Sequence, residues 1–72
     1  MNTDHDLPRH PDAMLNTDEA ASALRLQKQT LHDYRCRMVG PPFYRIGGRA
    51  IRYRYGDLMA WLESQRVEPV TA

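Results

Sequence analysis

The Gly40-Pro41-Pro42 segment constrains the fold most, because it separates two different sequence patterns. Before it, apolar residues recur at helical spacing; after it, apolar and polar residues alternate as they do in β-strands. The glycine is predicted to end a helix, and the two prolines prevent that helix from resuming. The sequence therefore predicts helices in the first half of the chain and a β-hairpin in the second.

Residues 26–37 are predicted to form the second helix of a helix-turn-helix. Leu31 and Tyr34, followed by Met38, are spaced i, i+3 and i+7, which places them on one face directed at a core. The other faces carry side chains of types that can hydrogen-bond to base edges or phosphates, on a helix narrow enough to enter a DNA major groove. These side chains are Lys28, Gln29, His32, Asp33, Arg35 and Arg37. An ordinary surface helix has the same pattern, so the flanking sequence must decide between the two interpretations.

Residues 18–24 are predicted to form the preceding helix, capped by Asn16 or Thr17. Asn16 and Glu19 have the spacing of a capping box, in which each side chain accepts the backbone N–H of the other residue. The turn after this helix contains Arg25, where a helix-turn-helix usually has a glycine in the left-handed conformation. If Arg25 adopts that conformation, its side chain costs about 1 kcal/mol.

Residues 43–46 and 50–54 alternate in polarity and are joined by Gly47-Gly48-Arg49, which predicts a β-hairpin. The face directed at the core is predicted to carry Tyr44, Ile46, Ile51 and Tyr53. The opposite face is predicted to carry Arg45, Arg52 and Arg54, with Arg49 at the tip. The hairpin is thus predicted to be a basic finger.

The last helix is predicted to start at Gly56 or Asp57. Leu58, Trp61 and Leu62 are spaced i, i+3 and i+4, so they share the face that packs on the other elements. Trp61 is predicted to be the largest side chain of the core, since it belongs to an apolar face with no basic residue beside it.

The two ends of the chain lack such patterns. Residues 1–14 contain two prolines, three aspartates and two histidines, and are expected to be a flexible arm without a site. Residues 66–72 are expected to be a tail. The predicted folded domain therefore comprises residues 15–65, and the 72-residue chain has room for only one small core.

Composition argues against several classes of function. The single cysteine, Cys36, excludes an intramolecular disulfide, and His5, His10 and His32 lack metal-ligand spacing with it, so no metal or cofactor is expected. No paired carboxylates or nucleophile with a neighbouring base is evident, so an enzyme is not expected. Without a signal peptide or long apolar run, the chain is expected to be a soluble protein of a reducing compartment.

Charge is distributed unevenly along the chain. The formal net charge is only +1, but residues 25–54 contain eight basic residues and one acidic residue, a net charge of +7. The remainder has two basic and eight acidic residues, a net charge of −6. Seven of the eight basic residues in the middle are arginines, which suit bidentate contacts with phosphate and guanine. This pattern favours a nucleic-acid partner.

Two runs resemble one known family: LNTDEAASALRLQKQTLHDYR at 15–35, and GPPFYRIGGRAIRYRYGDLMAWL at 40–62. Together they resemble the winged-helix domains of the MerR superfamily, and most of all its small branch of excisionases and AlpA-type regulators. The resemblance implies an α+β fold, a small winged helix-turn-helix with a β-hairpin wing and a C-terminal helix. Two residues depart from the family pattern: Arg25 replaces the turn glycine, and Gln27 replaces the small hydroxyl residue that starts the recognition helix.

The resemblance also implies which residues contact DNA, since the recognition helix of such families enters the major groove and the wing contacts the adjacent minor groove or backbone. The implied base-edge contacts are Lys28, Gln29 and His32. The implied phosphate contacts are Arg35, Arg45 and Arg52, with Arg54 also on the wing. Arg49 at the wing tip is the candidate for the minor groove. Thr30 is expected either to contact phosphate or to pack, and Asp33 to pair with Arg37.

By the same resemblance, the leading functional hypothesis is an excisionase, or recombination directionality factor. Such a protein binds and bends DNA beside a recombination junction and helps a tyrosine-recombinase integrase to excise a mobile element. Copies are expected to cooperate head to tail on DNA in the bacterial cytoplasm, associated with the nucleoid, without a small-molecule ligand or a membrane. The alternative is a small AlpA-like transcriptional regulator of a phage or integrative element. A third hypothesis, a protein-interaction module that does not bind DNA, is disfavoured by the basic middle of the chain.

Overall fold

A computed structural model describes residues 9–70 as three helices and a small antiparallel sheet. In chain order the elements are β1 (Met14–Leu15), α1 (Thr17–Leu24), α2 (Lys28–Cys36), β2 (Tyr44–Ile46), β3 (Ala50–Arg54) and α3 (Tyr55–Ser64). The strand order in the sheet is β1-β3-β2. This architecture confirms the predicted α+β winged helix-turn-helix. The part of the predicted arm before residue 9 lies outside the described residues.

Helix α1 begins and ends as its sequence predicts. The Asn16 side chain accepts the N–H of Glu19 and the Glu19 side chain accepts the N–H of Asn16, both at 2.8 Å, which completes the capping box. At the other end Arg25 is left-handed, with φ 56°. The N–H of Leu26 donates to the carbonyl of Ala21 at 2.9 Å, so the turn closes α1 with the Schellman pattern that glycine usually provides.

Helix α2 ends at Cys36 with the same pattern, but Met38, and not the predicted glycine, is the left-handed residue that closes it. Met38 has φ 55°, and the N–H of Val39 donates to the carbonyl of Tyr34 at 2.9 Å. Because the chain reverses at Met38, this side chain leaves the apolar face of α2 and is 80% exposed, so its predicted place in the core is wrong. Gly40 instead lets the chain pass close to Tyr34: a Cβ at Gly40 would lie 2.7 Å from the Tyr34 ring.

The predicted hairpin forms, but its faces differ from the prediction. Tyr44 pairs with Arg52 and Ile46 with Ala50, and residues directly opposite in an antiparallel pair point to the same side. Tyr44 and Ile46 therefore lie on the outer face, where they are 46% and 54% exposed. The core face carries Phe43, Arg45, Ile51 and Tyr53. The three-residue loop is the cause, because an odd loop pairs even-numbered residues with even-numbered residues, and a one-residue slip exchanges the faces.

Order begins earlier than residue 15. Met14 pairs with Arg54, so a two-residue strand that the sequence pattern does not reveal joins the sheet at β3. Before it, the carbonyl of Ala13 accepts the N–H of Tyr55 at 2.8 Å, and the carbonyl of Pro11 accepts the N–H of Gly56 at 2.9 Å. These two bonds satisfy backbone donors in the first turn of α3, which has no side-chain cap. The segment before β1 thus belongs to the fold.

The core joins all three helices to the sheet. Its fully buried side chains come from β1, α1, α2, β3 and α3: Leu15, Ala20, Ala21, Leu31, Tyr53 and Leu58. Tyr53 is the largest side chain that is fully buried. Trp61, predicted to fill that role, is only half-buried and lies 6.1 Å from the Tyr34 ring, and Leu62 is 44% exposed. The small residues of α1 let the other elements approach closely, so Tyr53 occupies the centre.

Candidate nucleic-acid interface

The outer surface of α2 carries the side chains predicted to read bases. Lys28, Gln29 and His32 are exposed, whereas Leu31 on the opposite side is fully buried. Thr30 is half-buried, so part of its side chain packs against the protein. Gln27 precedes the helix, and its side chain makes no capping hydrogen bond. This agrees with the sequence, in which Gln27 replaces a small hydroxyl residue suited to capping. The helix therefore has a buried side and a polar side that faces solvent.

Two shallow depressions border α2, and the second of them reaches the hairpin. The first is lined by Thr17, Lys28, Gln29, His32 and Arg35. The second is lined by Asn16, Thr17, Asp18, Lys28, Arg49, Ala50, Ile51 and Arg52. Thr17 and Lys28 belong to both, so the start of α2 and the start of β3 form one continuous surface. The sequence predicts only that Thr17 is a possible helix cap. Its position at the first turn of α1, within reach of Arg35 on α2, follows from the packing of the two helices.

Local contacts orient several α2 side chains. The Gln29 amide donates to a carboxylate oxygen of Asp33 at 3.1 Å, one turn along the helix. The His32 ring nitrogen Nε2 lies 3.6 Å from the Cys36 sulfur. The predicted ion pair between Asp33 and Arg37 is not found among the described residues. Arg37 instead lies over the Tyr34 ring, with its guanidinium carbon 5.8 Å from the ring centroid.

Arg35, predicted to contact phosphate, is directed into the fold. Its Nη1 donates to the Tyr53 hydroxyl at 2.7 Å and reaches the Thr17 hydroxyl at 3.4 Å. Its guanidinium carbon also lies 5.9 Å from the centroid of the Phe43 ring. The side chain is half-buried. Arg35 therefore lines the first depression, together with Lys28 and Gln29, while its guanidinium is directed at Tyr53 of the hairpin.

The tip of the wing presents its predicted arginine to solvent. Gly47 and Gly48 have φ of 63° and 83°, values that favour glycine, and Arg49 follows them in an exposed position. Arg45 is also exposed, but it lies on the core-side face of the hairpin and over the Phe43 ring at 5.8 Å, which corrects its predicted face. Arg52 is half-buried, and its Nη1 donates to the carbonyl of Ile51 at 2.7 Å.

Arg54 lies at the opposite end of the hairpin from the tip. Its guanidinium pairs with Asp12, which precedes β1, and with Asp57 in the first turn of α3. The hydrogen bond to Asp12, with support from the charge of that carboxylate and of Asp57, raises the pKa of the Arg54 side chain. Arg54 thus links three parts of the fold, and the structure separates it from the surface formed by Thr17 and Lys28.

Comparison with known families agrees with this geometry. Residues 14–66 match the family described as the helix-turn-helix domain, and the match includes every helix and strand described above. The chain therefore belongs to the helix-turn-helix domain family. No curated protein matches the sequence.

A helix-turn-helix domain is a DNA-binding unit, so membership of this family supports double-stranded DNA as the partner. In such units the second helix enters the major groove, and α2 is the second helix of this domain. Within residues 9–70 no helix is long and apolar enough to cross a membrane.

Proposed function

We propose that this protein binds a specific double-stranded DNA sequence and acts, without catalysis of its own, as an excisionase. In this proposal α2 lies in the major groove and the wing tip in the adjacent minor groove. The observation that carries the proposal is the continuous surface from α2 to β3. On this surface Gln29 and His32, which are predicted to contact bases, lie near the cations Lys28, Arg49 and Arg52.

The distribution of charge supports the DNA contact. Residues 25–54, which contain α2 and the hairpin, have a net charge of +7. Two of these arginines, Arg35 and Arg54, are engaged within the fold, so fewer than eight cations are directed at DNA. Neutralisation of about five phosphates gives a slope of log K against log salt of about −4 to −5.

The size of the domain supports the role of a cooperative architectural protein. One recognition helix and one wing cover about one turn of duplex, which gives little specificity against a whole genome. Several copies on adjacent sites, in contact head to tail, provide the missing specificity and bend the DNA. The bent complex then assists a tyrosine-recombinase integrase in the bacterial nucleoid.

A small AlpA-like transcriptional regulator is the second candidate. It uses the same surface at a promoter and requires no integrase. The family match supports a DNA-binding domain and is compatible with both roles. A tyrosine-recombinase gene beside the gene for this protein favours the excisionase role, and a regulated promoter without such a gene favours the regulator.

Binding is tested with DNA selected by the protein itself. Duplexes of about 30 base pairs, enough for two or more adjacent copies, are selected from a random pool and compared with a scrambled duplex by mobility shift. We expect the protein to prefer the selected duplex, with a slope of log K against log salt of about −4 to −5. We also expect tighter binding per site on adjacent sites than on a single site. Affinity that does not depend on salt contradicts DNA binding, and equal affinity per site contradicts cooperation.

Excision is tested by mixing the protein with the neighbouring integrase and a DNA substrate that carries both recombined attachment sites. We expect the protein to increase the yield of excised circle. If the protein changes promoter output but leaves the yield of excised circle unchanged, it acts as the transcriptional regulator.

A further inference from the structure

Arg35 lies at the meeting point of four parts of the fold. It belongs to the last turn of α2, and its guanidinium contacts Tyr53 of β3, Thr17 at the start of α1 and the ring of Phe43 just before β2. The shortest of these contacts is the 2.7 Å hydrogen bond to the Tyr53 hydroxyl. A guanidinium donates several hydrogen bonds in one plane, so this side chain suits a junction of several elements.

The partner of Arg35 cannot itself touch DNA. Tyr53 is only 1% exposed, and it lies in the core between β1 and the Phe43 ring. A buried hydroxyl needs a hydrogen-bond partner, because an unsatisfied one loses the solvation it had in water. Arg35 therefore satisfies the buried hydroxyl of Tyr53, and the same hydrogen bond fixes the position of the Arg35 side chain.

This contact joins two elements that share one core but touch each other little directly. Helix α2 packs mainly against α1, through the buried Leu31, whereas β3 packs against β2, β1, α1 and α3. The polar contact between Arg35 and Tyr53 consequently spans the gap between the recognition helix and the wing. A change in this contact alters the position of α2 relative to the wing while leaving both elements formed.

We infer that Arg35 is a positioning residue that sets the orientation of α2 relative to the wing through Tyr53. The inference rests on the proposed function, in which α2 and the wing enter adjacent grooves of one duplex. Base readout requires side chains to be held within a fraction of an ångström of their contacts, whereas contacts with phosphates tolerate more movement. Arg35 thus contributes to sequence preference without touching a base.

The substitution Tyr53→Phe tests this role, since it removes one buried hydroxyl and leaves every exposed side chain in place. We expect affinity for the selected duplex to fall about fivefold to tenfold, which corresponds to the net contribution of one hydrogen bond. Affinity for the scrambled duplex and the salt slope are expected to stay within experimental error. Tyr44→Phe is the matched control, because that hydroxyl lies on the exposed outer face of the hairpin.

A double-mutant cycle separates positioning from phosphate contact. Arg35→Gln is measured in the wild-type and the Tyr53→Phe backgrounds. A positioning residue loses most of its effect once its partner is gone, and Arg35→Lys, which keeps the charge and can still donate to the Tyr53 hydroxyl, restores part of the preference. A phosphate contact has the same effect in both backgrounds, makes the salt slope shallower by about one, and weakens binding to both duplexes alike.

Thermal unfolding of each variant shows whether it is folded at the assay temperature. Should Tyr53→Phe fail to fold, Arg35→Lys gives the same test, with a loss confined to the selected duplex as the expected result. Equal losses on the two duplexes, or full additivity in the cycle, overturn the positioning role while DNA binding stands. A wild-type protein that does not prefer the selected duplex overturns the proposed function, and this inference with it.

Discussion

Helix α2 and the tip of the wing form one surface, yet they hold their side chains in different ways. On α2, Gln29 is hydrogen-bonded to Asp33, and the ring of His32 lies beside Cys36, so neighbouring turns of the helix orient these groups. At the tip, Arg49 is exposed and follows two glycines in the left-handed region. Oriented side chains suit the reading of base edges, whereas an exposed arginine on a glycine loop suits neutralisation of charge.

The two regions are also attached to the core differently. The C-terminal end of α2 is held by close packing of Tyr34 on Gly40 and by the contact between Arg35 and Tyr53. The base of the hairpin is held by ion pairs of Arg54 with Asp12 and Asp57, which lie partly in solvent. Packing is sensitive to single atoms, while partly exposed ion pairs contribute modestly. The attachment of α2 is therefore the more fragile of the two.

The largest expected effect comes from Gly40→Ala. The new Cβ would lie 2.7 Å from the Tyr34 ring, and the φ of +88° is unfavourable for alanine. We expect unfolding free energy to fall by about 3 kcal/mol, measured by chemical denaturation. Gly47→Ala is the matched control, because its φ of +63° is similarly strained but its Cβ meets nothing within 4 Å. Its expected loss is about 1 kcal/mol, and equal losses in the two variants would refute the packing argument.

The next effect concerns base reading by α2. Gln29→Ala is expected to weaken binding to the selected duplex by about 1 to 3 kcal/mol and binding to the scrambled duplex hardly at all. Competition assays with the two duplexes measure this difference. Gln65→Ala, just beyond the end of α3, is the control. A similar loss on both duplexes would show that Gln29 contacts the backbone and that another residue reads the bases.

Arg49→Ala at the wing tip is expected to act on all sequences alike. Removal of one phosphate or minor-groove contact weakens binding about fivefold and makes the salt slope shallower by about 0.9. Titrations of both duplexes at several salt concentrations provide the measurement. A loss confined to the selected duplex would assign sequence reading to the wing and reverse the comparison with α2.

The helical half of this protein was predictable because its signals are local. The capping box of Asn16 and Glu19, the buried Leu31 and the left-handed Arg25 all depend on residues within one or two turns. The end of α2 was less predictable, because Met38 adopts the left-handed conformation that the sequence assigns more readily to Gly40. Glycine is required at position 40 because the chain passes close to the Tyr34 ring there.

The hairpin was predictable in position, and its faces also followed from the length of its loop. Apolar alternation gives the same pattern for either face, but the predicted three-residue loop already places Tyr44 opposite Arg52 and therefore on the other face from Ile51. The inward arginines were missed for a different reason. Arg35 meets Tyr53 across 18 residues and Arg54 meets Asp12 across 42, and no periodic pattern reports contacts at such separations. Net charge along the chain therefore overstates the number of cations that face DNA.

The smallest expected effect on DNA binding is that of Arg54→Gln, and Arg52→Gln is its matched partner. The two arginines lie on the same strand and the same face, two residues apart. Arg52 lines the depression shared with Lys28, whereas Arg54 is paired with Asp12 and Asp57 at the far end of the hairpin.

Arg52→Gln should therefore weaken binding to both duplexes and make the salt slope shallower by about 0.9, with little change in thermal stability. Arg54→Gln should lower the midpoint of thermal unfolding, because Asp12 loses its partner and the segment before β1 loses an attachment. Its DNA affinity, measured below that midpoint, should stay within about twofold of wild type, since no phosphate contact is lost. If both variants reduce the salt slope equally, the basic surface extends along the whole strand, and the ion pairs of Arg54 exchange for phosphates when DNA binds.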